Sequence, residues 1–249
     1  MLQTAIDAAK AGGKHALSYF NNLPEVKKKA DESPVTMADI ETEQLIRRLI
    51  SKKYPDHGFI GEEFGSTNPK AKFQWVIDPI DGTRSYIRNI PQWCILISVL
   101  EDNKPIVGVC YFPNQDELFS AEKGKGTFFN GKKTTVSKVE NLNEAYISYY
   151  NLKHFERLGK TKNLVDICQK SNTSMNLASF AMSFFLKGKI EAYICAHGQL
   201  WDFAAFSLLT EEAGGTFSDF SGKKSLTSGD IILANKPIHD QVLNILNTK

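Results

Sequence analysis

The segment Trp75-Val76-Ile77-Asp78-Pro79-Ile80-Asp81-Gly82-Thr83 places two carboxylates three residues apart at the end of an apolar run. The run reads as a strand that delivers Asp78 to its end. Pro79 then fixes φ, breaks the ladder and turns the chain, so that Asp78 and Asp81 converge. Two carboxylates held together raise each other's pKa unless a cation sits between them. Oxygen donors without His or Cys suit Mg²⁺, which takes one or two carboxylates plus phosphate and water. Gly82 permits a close backbone approach. The N–H groups of Gly82, Thr83 and Arg84 open a helix start, a natural cradle for phosphate. Together these residues point to metal-assisted phosphate chemistry.

Three further acidic positions stand out, and each has a structural explanation when taken singly. Asp39 follows Thr36 by three residues, a start signal in which Asp39 caps a helix and favours its dipole. Glu62 and Glu63 follow Phe59-Ile60-Gly61 and read as a solvated turn. Asp202 precedes an Ala-rich helix and reads as its N-cap. The lysine groups Lys27-Lys28-Lys29, Lys123/Lys125, Lys132-Lys133 and Lys160/Lys162 form a candidate basic face for RNA or a protein partner. Most lysine clusters on a globular surface are merely solvated.

Helices and strands must position these groups. Apolar residues at helical spacing predict amphipathic helices over 2–20 and 36–53, the second stopped by Tyr54-Pro55-Asp56-His57-Gly58. Between them, 21–33 reads as a polar surface loop or mobile flap. Strands over 95–100 and 106–112 form a hairpin. Segments 118–121 and 127–136, with Asn130-Gly131 in a turn, continue an antiparallel sheet. The second half alternates: strands over 145–150, 190–195, 215–219 and 231–235, and helices over 164–169, 177–186, 202–213 and 237–246. The whole reads as a layered α/β or α+β body.

The 249 residues, 42% hydrophobic and 11% aromatic with a net charge of +2, exclude a disordered or low-complexity chain. The longest apolar stretches fall far below the ~20 residues of a membrane helix. No basic region followed by an apolar block marks a signal peptide. Cys94, Cys110, Cys168 and Cys195 form no C-x-x-C pair, and are read as reduced thiols of a cytoplasmic protein. With 30 basic against 28 acidic residues, charge alone gives no reason to expect nucleic acid as a partner.

Taken in chain order, the acidic blocks resemble the inositol monophosphatase family of Mg²⁺-dependent, lithium-sensitive phosphatases. Asp78-Pro79-Ile80-Asp81-Gly82-Thr83 resembles its signature. Val35-Thr36-Met37-Ala38-Asp39 resembles its V-T-x-x-D block, and Gly61-Glu62-Glu63 its G-E-E block. Trp201-Asp202-Phe203-Ala204-Ala205 with Glu212-Ala213-Gly214-Gly215 resembles its W-D-x-A-A and E-A-G-G blocks. The resemblance implies a five-layer αβαβα sandwich over 1–249 as one catalytic domain, with an N-terminal half to about 142 and a C-terminal half from about 143. It implies two to three Mg²⁺ ions. Glu62, Asp78 and the Ile80 carbonyl hold the first, and Asp78, Asp81 and Asp202 the second, with Glu62 reaching a weaker third. Asp39 accepts a hydrogen bond from Thr83, and with Glu62 they form the catalytic set that orients a metal-activated water for in-line attack. Asp81, Gly82, Thr83 and Asp202 contact the phosphate. A homodimer is expected on the same ground.

The resemblance departs where substrate hydroxyls bind. Family members carry an Arg-Ser-x-Gly-Ser-Ala-like stretch, and here the chain reads Thr173-Ser174-Met175-Asn176-Leu177-Ala178-Ser179. Cys195 stands where an acid is expected. The segment Arg84-Ser85-Tyr86 with Pro91-Gln92-Trp93 is similar to the histidinol-phosphate phosphatase branch. The expected substrate is therefore a small polyol or sugar phosphate, with histidinol phosphate as the alternative.

Overall fold

The computed structural model describes residues 1–22, 26–28 and 34–248. Helix α1 (Leu2–Tyr19) is followed by a ribbon of β1 (Lys27–Lys28) and β2 (Pro34–Val35), then by α2 (Met37–Ser51). Strands β3 (Gly58–Gly61), β4 (Gly65–Thr67) and β5 (Phe73–Asp81) lead into the short helix α3 (Thr83–Tyr86). A meander follows: β6 (Cys94–Glu101), β7 (Lys104–Phe112), β8 (Glu117–Glu122), β9 (Thr127–Phe129) and β10 (Lys132–Thr134). The second half holds β11 (Tyr146–Tyr150), α4 (Leu152–Arg157), α5 (Thr161–Lys170), β12 (Thr173–Met175), α6 (Ala181–Leu186) and β13 (Ala192–Cys195). It closes with α7 (Leu200–Glu212), β14 (Thr216–Ser218), β15 (Ile231–Ala234) and α8 (Lys236–Leu246).

Two sheets result. The larger has the order β10-β9-β8-β7-β6-β5-β3-β4 and is antiparallel except where β3 lies beside β5. The smaller has the order β12-β11-β13-β15-β14, with β12, β11 and β13 mutually parallel. Successive side chains on a strand point to opposite faces, so each central strand feeds two cores. Ile95, Ile97 and Val99 of β6 and Val107 and Val109 of β7 pack with Ala5, Ala9, Ile46 and Ile50 of α1 and α2. Their neighbours Leu96 and Cys110 face the other way, onto Phe206 and Leu209 of α7. Tyr193 and Leu233 of the small sheet join that middle layer, whereas Ile194 and Ile232 pack outward against Leu164, Ile167 and Val242 of α5 and α8. The layer order is helix, sheet, helix, sheet, helix, as expected from the sequence.

Local turn chemistry accounts for the meander. Asp102 and Asn103, both at positive φ, join β6 to β7, and Asn130-Gly131 does the same between β9 and β10. Both are two-residue turns of the kind that matches strand twist.

Several details differ from the sequence reading. Pro79 does not end its strand. β5 continues to Asp81 through an irregularity in which Asp78 pairs with Leu96 and Asp81 with Cys94. One extra residue is accommodated there, where the missing N–H of proline costs no ladder bond. The segment read as a helix over 177–186 is a 3-10 turn, Ala178–Phe180, leading into α6. Strand β12 and helix α4 carry too little periodicity to be read in advance. The expected loop over 21–33 lies mostly outside the described residues, including Lys29; within it, Lys27–Lys28 pairs antiparallel with Pro34–Val35.

Candidate active site

The bulge in β5 and the start of α7 bring three acids together. Asp78, Asp81 and Asp202 each present a carboxylate oxygen, and these oxygens lie within 4.8 Å of one another. Asp78 is 2% exposed, and its Oδ1 accepts the Ile80 N–H at 3.0 Å. Burial pushes its pKa well above the usual range, and the charges of Glu62, Asp81 and Asp202 push in the same direction. Asp81 is pushed up to about 6, chiefly by burial, against hydrogen bonds from Ser179 and the Cys94 thiol. Asp202 is pushed up to about 8 by burial and then by the charge of Asp81. Asp202 is not the N-cap expected of it. Gln199 holds that position, and Asp202, at the third helical residue, accepts the Gln199 N–H at 2.5 Å.

Glu62 reaches the same place through the parallel pairing of β3 with β5, where its N–H donates to the Ile77 carbonyl at 3.2 Å. The tip that carries it is clamped from α2. Glu43, with its side chain fully buried, accepts the Glu63 N–H at 2.7 Å and pairs with Arg47 at 2.7 Å. Arg47 in turn donates to the Gly65 carbonyl at 2.6 Å. A Cβ at Gly61 would fall onto the Glu43 carboxylate, so only glycine allows this approach. The solvated turn expected around Glu62-Glu63 is thus a held one.

Asp39 is fully buried on α2. Its Oδ2 accepts the Thr36 N–H at 2.8 Å and the Thr36 hydroxyl at 2.7 Å, closing the capping box that the spacing implied. Its Oδ1 faces Thr83 Oγ1 at 3.5 Å. Gly82 sets Thr83 in place: its φ is +96°, and a Cβ there would meet the Gln92 carbonyl at 2.9 Å. The first bonds of α3 run from the Ser85 and Tyr86 N–H groups to the Gly82 carbonyl. The N–H groups of Thr83 and Arg84 therefore stay outside the helix's own ladder.

Of the site residues expected from the sequence, all but Asp39 border one pocket of about 540 Å³, within the range of small-ligand sites. It lies beyond the carboxyl ends of the parallel strands β11 and β13, the usual place for a ligand in an open α/β sheet. Glu62, Asp78, Ile80, Asp81, Gly82, Thr83 and Asp202 line one side. Tyr150, Asn176, Ser179, Tyr193, Cys195 and His197 line the other. Sequence reasoning missed Glu43, Tyr150 and His197, whereas Ser179 belongs to the stretch in which the sequence places the substrate wall. Only Glu43 carried a signal, as an acid one helical turn after Asp39 on the buried face of α2.

The inositol monophosphatase family profile matches residues 1–248. The chain belongs to that family. A histidinol-phosphatase of Chlorobaculum parvum is 34% identical over 94% of this chain and 92% of its own. An inositol monophosphatase of Dictyostelium discoideum is 34% identical over 100% of this chain and 95% of its own. In structure, an IMPase of Thermotoga maritima superposes with a TM-score of 0.90 at 29% identity, covering 99% of this chain and 96% of that one. As an inositol monophosphatase family member, the chain is a phosphoric monoester hydrolase. No helix among its described residues is long and apolar enough to cross a membrane. Two lysines of the candidate basic face are engaged within the chain: Lys125 pairs with Glu122 at 2.7 Å, and Lys160 donates to the Leu246 carbonyl at 2.6 Å.

Proposed function

We propose that this enzyme is a Mg²⁺-dependent phosphomonoesterase that hydrolyses a small polyol or sugar phosphate by in-line attack of water. The observation that carries this reading is the convergence of Asp78, Asp81 and Asp202 on one side of a pocket whose wall also holds Thr83. The donor set fits Mg²⁺. It is all oxygen, and the nearby Cys94 thiol is raised well above its usual pKa by burial, so it stays a protonated donor rather than a ligand. The family is metal-dependent, and the burial and mutual repulsion that raise the carboxylate pKa values are what a bound cation would offset.

Glu62, Asp78 and the Ile80 carbonyl would hold one ion, and Asp78, Asp81 and Asp202 a second, with Glu62 reaching a third. When bound, such ions neutralise phosphate charge and make a water readily ionised. The chain's own part is positioning. Thr83 would accept a hydrogen bond from the attacking water while donating to Asp39, which fixes the water's direction and helps to take up its proton. The free N–H groups at the start of α3 hold phosphate oxygens. In phosphoryl transfer such positioning and electrostatics supply most of the catalysis.

Histidinol phosphate is the second reading. It is favoured by the likeness to the Chlorobaculum parvum enzyme and by the pocket position of Arg84, Ser85 and Gln92. The test is phosphate release, with and without Mg²⁺, from inositol, histidinol, glycerol, nucleotide and hexose phosphates. Release from none of them would overturn the proposal. We further take the enzyme to be a cytoplasmic homodimer on the family's example. A monomer at micromolar concentration in sedimentation would correct this.

A further inference from the structure

We propose that the outer half of the pocket recognises a second anionic group on the substrate, held by the Arg84 guanidinium together with Asn151 and the stacked rings of His154 and His197. This rests on the phosphatase reading above. It narrows the substrate class to phosphate monoesters that also carry a second phosphate or a carboxylate.

The pocket is electrically lopsided. All four carboxylates among its described lining residues, Glu62, Asp78, Asp81 and Asp202, come from the end of β3, from β5 and from α7. The lining residues supplied by β11, β13 and the segments that immediately follow them include none. Cys195 occupies the end of β13, and burial pushes its thiol up to about 12, so it carries no negative charge at neutral pH. The thiol instead donates to the His197 carbonyl at 3.0 Å. Among the described lining residues of these elements a cationic group on the substrate would find neutral acceptors only.

Positive and donor groups collect at the mouth. Arg84 is exposed on the pocket rim, and among the described residues it has no ion-pair or hydrogen-bond partner. His197, also on the rim, stacks on His154 with ring centroids 4.4 Å apart and planes 18° apart. Asn151 sits between β11 and α4 at φ +54°, and its amide Nδ2 lies 3.2 Å from His154 Nε2. Its Oδ1 accepts the Lys153 N–H, which fixes the amide orientation. With Nε2 accepting from the amide, the neutral His154 ring carries its proton on Nδ1. The His154 pKa is lowered by burial first, and then by the positive neighbours His197, Arg157 and Arg84. A guanidinium without a partner is the side chain best shaped to take a carboxylate or phosphate through two parallel hydrogen bonds.

The experiment uses the full-length enzyme in Mg²⁺ and measures binding by calorimetry beside phosphate release. Two matched pairs of probes differ only in the added anion: glycerol phosphate against phosphoglycerate, and a hexitol monophosphate against the corresponding hexitol bisphosphate. The first pair reports a carboxylate partner and the second a phosphate. The expected result is about tenfold tighter binding of at least one anionic member, a charge-assisted hydrogen-bond effect. The same ratio should appear in KM. In Arg84→Gln the ratio should fall to near one, and Arg84→Lys should restore part of it. Equal binding within both pairs, or a ratio unchanged by Arg84→Gln, would overturn the subsite. So would tighter binding of histidinol phosphate than of any anionic probe. The preference without phosphate release from any probe would sink the phosphatase reading alone, whereas release without the preference would sink the subsite alone.

Discussion

Asp39 and Thr83 meet at 3.5 Å, and each already has a closer partner. Thr83 Oγ1 lies 3.1 Å from the Ile80 carbonyl, while the other oxygen of Asp39 holds both the backbone and the hydroxyl of Thr36. A hydroxyl has one proton to give, so Thr83 chooses between Ile80 and Asp39. If the Ile80 carbonyl is taken by a cation, that choice falls to Asp39. Capping and the proposed catalytic role are thus not alternatives for Asp39, since one oxygen holds Thr36 and the other faces Thr83.

Asp39→Asn and Thr83→Ala should therefore each lower kcat by roughly 10²–10⁴-fold. The double variant should be little worse than either single one, because residues acting as a unit fail together. Thr36→Ala should cost ~1 kcal/mol of stability, the worth of a cap, with a smaller fall in kcat. Steady-state kinetics and denaturant unfolding on the four variants check this. Multiplicative losses in the double variant would return Asp39 to a purely structural role.

Glu43 should set metal affinity without touching metal. Its hold on the Glu63 N–H fixes the tip that carries Glu62. Glu43→Gln should raise the Mg²⁺ concentration needed for half-maximal activity by about 10–100-fold, as loss of an outer partner of a metal ligand does. It should also lower Tm, because Arg47 is left without its charge partner. Unchanged Mg²⁺ dependence would confine Glu43 to stability.

The acid cluster should make metal-free stability depend on pH in an unusual direction. Asp81, at about 6, and Asp202, at about 8, sit above their unfolded values near 4. The folded state then binds more protons than the unfolded one, so stability falls as pH rises from about 4 through 8. In chelator, Tm should be higher at pH 5 than at pH 8. Added Mg²⁺ should raise Tm more at pH 8 than at pH 5, and should release protons on binding. Asp78→Asn, Asp81→Asn and Asp202→Asn should each abolish turnover and raise the metal-free Tm. Thermal scans across this range, with near wild-type turnover as the outcome that sinks the assignment, decide it.

The two halves of the chain should unfold together. Helix α7 packs on both sheets, and Leu209, fully buried, belongs to the core they share. One transition should be seen by calorimetry and by tryptophan fluorescence alike. Leu209→Ala should lower stability by about 2–5 kcal/mol without splitting it. Two separate transitions, or two independently folded proteolytic halves, would contradict a single domain.

Read alone, the sequence determined the acid blocks, their order and most of the elements that carry them. Those features are local: a strand ending in Asp78, a capping box from Thr36 to Asp39, and hairpin turns at Asp102-Asn103 and Asn130-Gly131 are written in neighbouring residues. The tertiary structure alone decided what depends on distant segments meeting. Asp202 reads as a cap until α7 is laid against β5, and Glu43 is an acid on the apolar face of its helix with no partner in view until that helix meets the β3–β4 tip. The pairing of His154 with His197 comes from the ends of two adjacent strands and leaves no periodic trace. Pro79 was misjudged for the same reason. Whether a proline ends a strand or sits in its bulge is settled by the register of the neighbouring strand, which the local sequence does not encode.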